Sequence, residues 1–338
     1  MRSARTRIAA LFGSGVLALT ALTACSMEGT DSPASAASGS CDPKKLVIGY
    51  VNPSVTNQGW IIIGQGATDA AKDRGVKLRS FGPPKDGDAA GQVTVVQDVI
   101  AGGANAIALA PVDSSALVPA VKEANAAGVP VVNLDSQING GDLASFVATD
   151  NYAAAQQQAE AVAEHIGGKG KVILINGSQA YSTGRDRRNG FVDTMKKKYP
   201  GVTVLEVQTE WDAQAAQKGL EDLLAANPDV VAVANAWDGS TVAAVPVLKS
   251  HGKRIFLVGF DGAPDAIALM EQGKVDAIVA QQLYKMGYTA IDTAVKAACG
   301  ETVEKRIDTG SVLLTPDNVA KFIDSNPPIL REFIKKAS

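Results

Sequence analysis

Two aspartates, Asp135 and Asp261, close apolar runs of the strand type, and a set of amides, aromatics and one arginine falls at comparable places along the chain. Asn57 and Trp60 follow the first apolar run. Arg185 opens a helical stretch after Lys171–Asn176, Trp211 and Trp237 come after later runs, and Gln281 ends another. Carboxylates accept hydrogen bonds from hydroxyls, amides both donate and accept, and a guanidinium donates. Indole faces pack on C–H surfaces. Together this is the chemistry of polyol recognition. Each residue also has a plainer role. A strand-end aspartate can cap the next helix, as Asp113 and Asp238 are placed to do. A tryptophan usually sits in a core, and Asn57 suits a turn. Eight such residues on one predicted edge favour a ligand site over the plainer roles taken together.

Other chemistries find little support. No Gly-x-Gly-x-x-Gly follows the first strand, where Gly49-Tyr-Val-Asn-Pro53 stands instead, and there is no Walker A motif and no Gly-x-Ser-x-Gly. The two histidines, His165 and His251, lack metal-ligand spacing, and the three cysteines lack a Cys-x-x-Cys pair. No cofactor or metal is expected. An enzyme is disfavoured, with a carboxylate-based one left open. The net charge of −3 gives no nucleic-acid footprint.

The elements that must position these residues alternate. Apolar runs at Leu46–Val51, Val76–Phe81, Ala106–Pro111, Pro130–Asp135 and Phe146–Asp150 are continued by Lys171–Asn176, Val202–Val207, Val230–Ala234, Ile255–Asp261 and Val275–Gln281. Helix-length segments separate most of them. Continuous Val/Ile/Leu runs mean strands buried on both faces, and the alternation means βαβ units in parallel sheets. About ten strands suit two doubly wound sheets. An internal repeat agrees. Asp113, a helix with Pro119, and Asp135 match Asp238, a helix with Pro246, and Asp261, with Asp-to-Asp separations of 22 and 23 residues. Both copies set a carboxylate at a strand's C-terminal end, the edge where open α/β sheets bind ligands.

The first 24 residues read as an export signal. Arg2, Arg5 and Arg7 precede the uncharged stretch Ile8–Leu22, which is short for a membrane span. Leu22-Thr-Ala-Cys25 resembles a bacterial lipobox, so Cys25 is the expected lipidation site and the new N-terminus. Cleavage there removes three arginines and no acid, which takes the net charge from −3 to −6. Residues 25–41, rich in Ser, Ala and Gly, read as a flexible tether. The expected location is the outer face of the cell membrane, with the lipid as the membrane contact.

On Val131–Asp135, Ala148-Thr-Asp-Asn151, Gly184-Arg-Asp-Arg187, Asn227-Pro-Asp229 and Val258-Gly-Phe-Asp-Gly-Ala-Pro264, the chain resembles the type I periplasmic sugar-binding proteins of ABC importers, the ribose-binding-protein-like group. The resemblance runs from about Lys45 to Leu314. It implies two α/β lobes joined by three crossing strands, with an N-terminal lobe of 42–150 plus 282–310 and a C-terminal lobe of 151–281 plus 311–338. It also implies Asn57, Trp60, Asp135, Arg185, Trp211, Asp261 and Gln281 as ligand contacts, with Trp60 and Trp211 in place of stacking phenylalanines.

Three departures set this chain apart. Asp135-Ser136 replaces Asp-Arg, Ala110 replaces an asparagine, and Trp237 replaces another. The implied site is less polar and more aromatic than a ribose site, which favours a six-carbon or substituted neutral sugar, inositol or sugar alcohol. The implied function is capture by hinge closure and delivery, as a monomer, to an ABC permease. A lipid-anchored sensing module feeding a receptor is the alternative. With Cys41 before the first strand and Cys299 ending the helix Tyr284–Ala298 in the same lobe, a disulfide between them is expected in an exported protein.

Overall fold

The computed structural model describes residues 41–54, 57–83 and 87–337. The expected lipidation site Cys25, the export signal and nearly all of the tether lie outside them.

Ten strands follow the predicted runs. They are β1 (Val47–Val51), β2 (Lys77–Phe81), β3 (Ala106–Leu109), β4 (Val131–Leu134) and β5 (Leu143–Ala148), then β6 (Lys169–Asn176), β7 (Gly201–Gln208), β8 (Val230–Asn235), β9 (Phe256–Asp261) and β10 (Ala277–Gln281). Two short strands near the C-terminus, β11 (Arg306–Asp308) and β12 (Ser311–Leu314), complete the set. The strands form two six-stranded sheets ordered β11-β5-β4-β3-β1-β2 and β12-β10-β9-β8-β6-β7. The order of the first five strands is repeated by the second five, so the duplication seen in the sequence extends through both sheets. β3, β4 and β10 are buried at every residue, as strands covered on both faces must be.

The helices are α1 (Gln58–Arg74), α2 (Ala89–Ala101), α3 (Val118–Ala126), α4 (Asn151–His165), α5 (Ser182–Lys198), α6 (Ala213–Ala226), α7 (Asp238–His251), α8 (Pro264–Glu271), α9 (Leu283–Ala298), α10 (Val319–Ser325) and α11 (Pro328–Ala337). Many start at a side-chain cap that satisfies otherwise unpaired N–H groups. Asp88, Asp150 and Asp212 accept from Gly91, Ala153 and Ala215 N at the starts of α2, α4 and α6.

One strand departs from an all-parallel reading. β12 runs antiparallel to β10. β10 ends at the junction between the sheets, at Gln281, whereas the chain enters the second sheet from that junction after β11. It must therefore run the opposite way along the edge.

The chain passes between the sheets after β5, after β10 and between β11 and β12. These three passages are laced together. Arg306 Nη1 and Nη2 donate to Ala148 O at 2.8 Å and Thr149 O at 3.1 Å. Asp308 Oδ1 accepts from Asp150 N at 3.0 Å, and Lys285 Nζ donates to Thr309 O at 3.2 Å.

α9 leaves β10 and returns to the first sheet, where it packs along α1 at backbone contact. A Cβ at Gly287 would overlap the carbonyl of Ile63. Tyr284 and Tyr288 donate to Asp69 and Asp73 of α1, each at 3.0 Å. Cys299, directly after α9, forms a disulfide with Cys41, just before β1, with Cα atoms 5.4 Å apart. Among the described residues, no helix is long and apolar enough to cross a membrane.

Candidate functional site

A cavity of about 700 Å³ opens between the C-terminal edges of the two sheets. Seven of the eight residues singled out from the sequence line it: Asn57, Trp60, Asp135, Trp211, Trp237, Asp261 and Gln281. The backbone marks three of them. Asp135, Trp211 and Asp261 are the non-glycine residues at positive φ among those described, with φ of 64°, 61° and 115°. Such conformations cost of order 1–3 kcal/mol each and persist where the surroundings over-determine them, characteristically at functional sites. Asp135 directly follows β4 and Asp261 ends β9. β4 and β9 hold the same place in their sheets, so the two carboxylates approach the cavity from equivalent positions.

The eighth residue requires a correction. Arg185 does not line the cavity, and its guanidinium donates to the carbonyls of Gln179 and Ala180 at 2.7 and 3.1 Å. The arginine in the cavity is Arg187. Two residues is about 200° of helix, so Arg185 and Arg187 face nearly opposite ways from α5. Arg187 lies on the buried stripe with Thr183, Gly190, Phe191 and Thr194. The spacing of that stripe was readable, and a lone arginine within it was the signal that selects Arg187. Its Nε donates to Asn151 Oδ1 at 2.8 Å. Its Nη1 donates to Ala236 O at 2.6 Å and to Asp261 Oδ1 at 2.9 Å. The guanidinium carbon also lies 4.0 Å from the centre of the Phe260 ring.

The other residues combine structural and site roles. Asn57 caps α1, its Oδ1 accepting from Gly59 and Trp60 N at 2.9 and 3.4 Å. Trp237 is buried against the core while lining the cavity. Trp211 stands edge-on to Trp237 at 5.4 Å and to Tyr181 at 5.7 Å. Its ring fits only because residue 177 is glycine, where a Cβ would overlap the indole. The two possible capping aspartates divide. Asp113 holds the turn before α3 through Ser115 and Ala116 N, both at 2.7 Å. Asp238 instead holds the end of β9, accepting from Phe260 N at 3.1 Å and Ala263 N at 2.7 Å.

The cavity is electrostatically lopsided. Among the described residues, Asp135, Glu210, Asp212, Asp238, Asp261 and Asp265 line it against Arg187 alone. Burial raises the pKa of Asp238, and the neighbouring Asp261 charge adds to this. Burial also raises Asp261, with Arg187 and Gln281 pulling it back down. Asp135 is pushed up to about 6, chiefly by burial, with Arg187 opposing and Asp261 reinforcing the rise. The folded state therefore holds a proton on Asp135 at pH values where the unfolded chain has lost it. Its contribution to stability is most favourable below about pH 4, declines as the pH rises through 6 and then levels off. Asparagine tolerates the left-handed backbone as aspartate does. Asp135→Asn should therefore melt higher than the wild type at pH 7 by ~1–2 °C, the effect of ~1 kcal/mol on a folded chain of about 300 residues. At pH 4 the difference should vanish. Scanning calorimetry without ligand at both pH values checks this, and a variant less stable at pH 7 would contradict it.

Beside the cavity, hydroxyls join the two sheets' sides. Ser136 and Thr183 pair Oγ to Oγ1 at 2.9 Å. Ser182 Oγ accepts from Gln137 N at 2.7 Å, and Ser182 N donates to Ser114 Oγ at 3.2 Å. Ser136, which the sequence comparison set where ribose binders carry an arginine, thus belongs to this seam.

Residues 48–302 match the model of the periplasmic binding protein domain. The chain belongs to that family. This periplasmic binding protein is 33% identical over 291 residues to the ribose import binding protein RbsB of Bacillus subtilis (strain 168), covering 86% of this chain and 93% of the relative. It is 31% identical over 254 residues to the D-allose-binding periplasmic protein of Escherichia coli (strain K12), covering 72% and 82%. Among solved structures it resembles an ABC transporter periplasmic solute binding protein from Actinobacillus succinogenes 130z with bound D-allose. The TM-score there is 0.78 at 26% identity, covering 82% of this chain and 100% of the other. These relatives are solute-binding proteins, not enzymes, and their architecture is the two-lobed type I fold of this periplasmic binding protein.

Proposed function

We propose that this protein captures a neutral monosaccharide, inositol or sugar alcohol outside the cytoplasm and delivers it to an ABC importer. The observation that carries this reading is the placement of Asp135 and Asp261. They are matched carboxylates on strained backbone, one from each sheet, turned into a single cavity. A ligand held by both gains contacts only when the two sides approach, and such differential contacts are what shift an open–closed equilibrium. The moving bodies are residues 42–150 plus 282–310 and residues 151–281 plus 311–338. Trp60, Trp211 and Trp237 offer apolar walls for the C–H faces of a ring, while carboxylates and amides meet its hydroxyls. A single arginine, already paired with Asp261, disfavours phosphate or carboxylate ligands, which call for a guanidinium cluster or a helix N-terminus.

A thermal-shift screen across pentoses, hexoses, inositols and alditols, followed by calorimetry and X-ray scattering, tests this reading. At least one polyol should raise the melting temperature by several degrees and compact the protein. A ligand at ~100 times its Kd adds ~2.7 kcal/mol to stability. Tight binding of a sugar phosphate or an amino acid, with no polyol bound below about millimolar, would sink the reading.

The lipobox motivates the anchoring part of the proposal, a diacylglycerol on Cys25 as the membrane contact. Cys25→Ser should leave the protein released from membranes or unprocessed. A variant that matures and partitions like wild type would exclude the anchor.

A further inference from the structure

The hydroxyl seam beside the cavity joins the two bodies of the proposed closure. On one side are the loops after β3 and β4, and on the other the start of α5. The loops are held from within their own body. Asn133, buried in β4, donates to Ser136 O at 2.8 Å and accepts from Ile138 N at 3.0 Å. Asn139 N donates to Ser114 O at 2.7 Å, which fixes one loop on the other. Gln137 N and Ser114 Oγ are thus set in place at the seam, and Ser182 meets both. Its Oγ accepts from Gln137 N at 2.7 Å, and its N–H donates to Ser114 Oγ at 3.2 Å. Ser114 and Ser182 are buried, and neither lines the cavity. When the bodies separate, these groups exchange one another for water, so whatever net stabilisation they supply falls on the closed form alone.

Given the proposed closure around a polyol, on which this rests, we infer that Ser114 and Ser182 set the affinity for the solute without touching it, as positioning residues that stabilise the closed form. Apparent affinity is the affinity of the closed form multiplied by the fraction of free molecules already closed. A hydrogen bond made only on closing raises that fraction, and it does so whatever the solute. The cavity residues select among solutes, and the two serines scale every affinity together. Loss of both hydroxyls leaves the Gln137 and Ser182 N–H groups without these acceptors in the closed form and hydrated in the open one. At ordinary strengths for two such bonds, the closed fraction should fall roughly fivefold or more.

The test compares wild type with Ser114→Ala, Ser182→Ala and the double variant. Single-molecule energy transfer between fluorophores at the exposed positions Lys122 and Lys218, one on each body, reads the closed fraction of the free protein. Calorimetry at pH 7 reads the dissociation constants of D-ribose, D-allose and myo-inositol. In the double variant the closed fraction should drop threefold or more, with each single variant between it and wild type. Dissociation constants should rise by the same factor for every probe that the wild type binds, leaving the order of preference unchanged. A merely structural role would not produce that match, since damage to the fold lowers the number of competent molecules and leaves the constants of the rest unaltered. A closed fraction lowered less than threefold overturns the inference. So do constants that fail to follow the closed fraction or change unequally among probes, which would make the serines part of the ligand site. Should the wild type bind no polyol, the polyol reading falls, and the closed fractions of the free variants still decide the role of the serines.

Discussion

Arg187→Met is expected to abolish ligand binding and to lower the melting temperature by ~5–8 °C. The Arg187 side chain is 6% exposed and its partner Asp261 23% exposed. Breaking a buried pair by removing one member typically costs ~3–5 kcal/mol, because the remaining charge stays buried without compensation. Here the loss falls on two carboxylates, since the Arg187 charge also opposes the rise in the Asp135 pKa. The contact over the Phe260 ring goes as well. At ~1.6 °C per kcal/mol for about 300 folded residues the combined effect is of the stated size. The sign of the pH dependence follows. Without the guanidinium, the folded pKa of Asp261 rises further above its unfolded value. The variant should then lose stability as the pH rises through that range and recover part of it in acid. Arg185→Ala, by contrast, removes two hydrogen bonds to backbone carbonyls and should leave ligand affinity within about twofold of wild type. Calorimetry on both variants decides the assignment, and the opposite ranking would restore Arg185 to the site.

The second large effect is on folding alone. The Cys41–Cys299 bond closes a loop with a sequence separation of 258 residues. Chain-entropy reasoning assigns a crosslink of that length on the order of 5 kcal/mol. Both cysteines flank elements of the first sheet's side, β1 and α9, and neither lines the cavity. The Cys41→Ser, Cys299→Ser double variant should therefore melt ~8 °C below wild type and bind its solute with unchanged affinity. Thermal denaturation of the variant, and of wild type with and without reductant, measures this. A shift below about 2 °C would show that the α1–α9 packing alone sets the geometry.

Much of this architecture was legible in the apolar runs, because strands covered on both faces leave continuous Val/Ile/Leu segments that tolerate little else. β11 and β12 were not. They are short, partly exposed edge strands, whose direction is set by where the chain re-enters each sheet. In the site, the strand-end aspartates announced themselves by position. The cavity arginine was read as Arg185 and not Arg187 because two arginines two residues apart are resolved only by the phase of the buried stripe on α5. Trp211 at φ 61° carries no local signal, since nothing in an aromatic residue favours left-handed backbone. Its place is dictated from a distance, by the space that Gly177 leaves for the ring. The pairing of the seam hydroxyls was not legible for a related reason. Serine and threonine are common on loops, and only the approach of the two sheets turns Ser136 and Thr183 into partners.

The lacing of the three passages between the sheets bears on the thermodynamics of motion. Three separate strands could twist, slide and bend independently, giving a broad population of open forms. Tied through Arg306, Asp308 and Lys285, the three passages are coupled to one another, which restricts such independent motion. Less configurational freedom then remains to be surrendered on closing. If the two sides close on a solute as proposed, the unfavourable entropy that accompanies capture by a loosely jointed protein is correspondingly reduced.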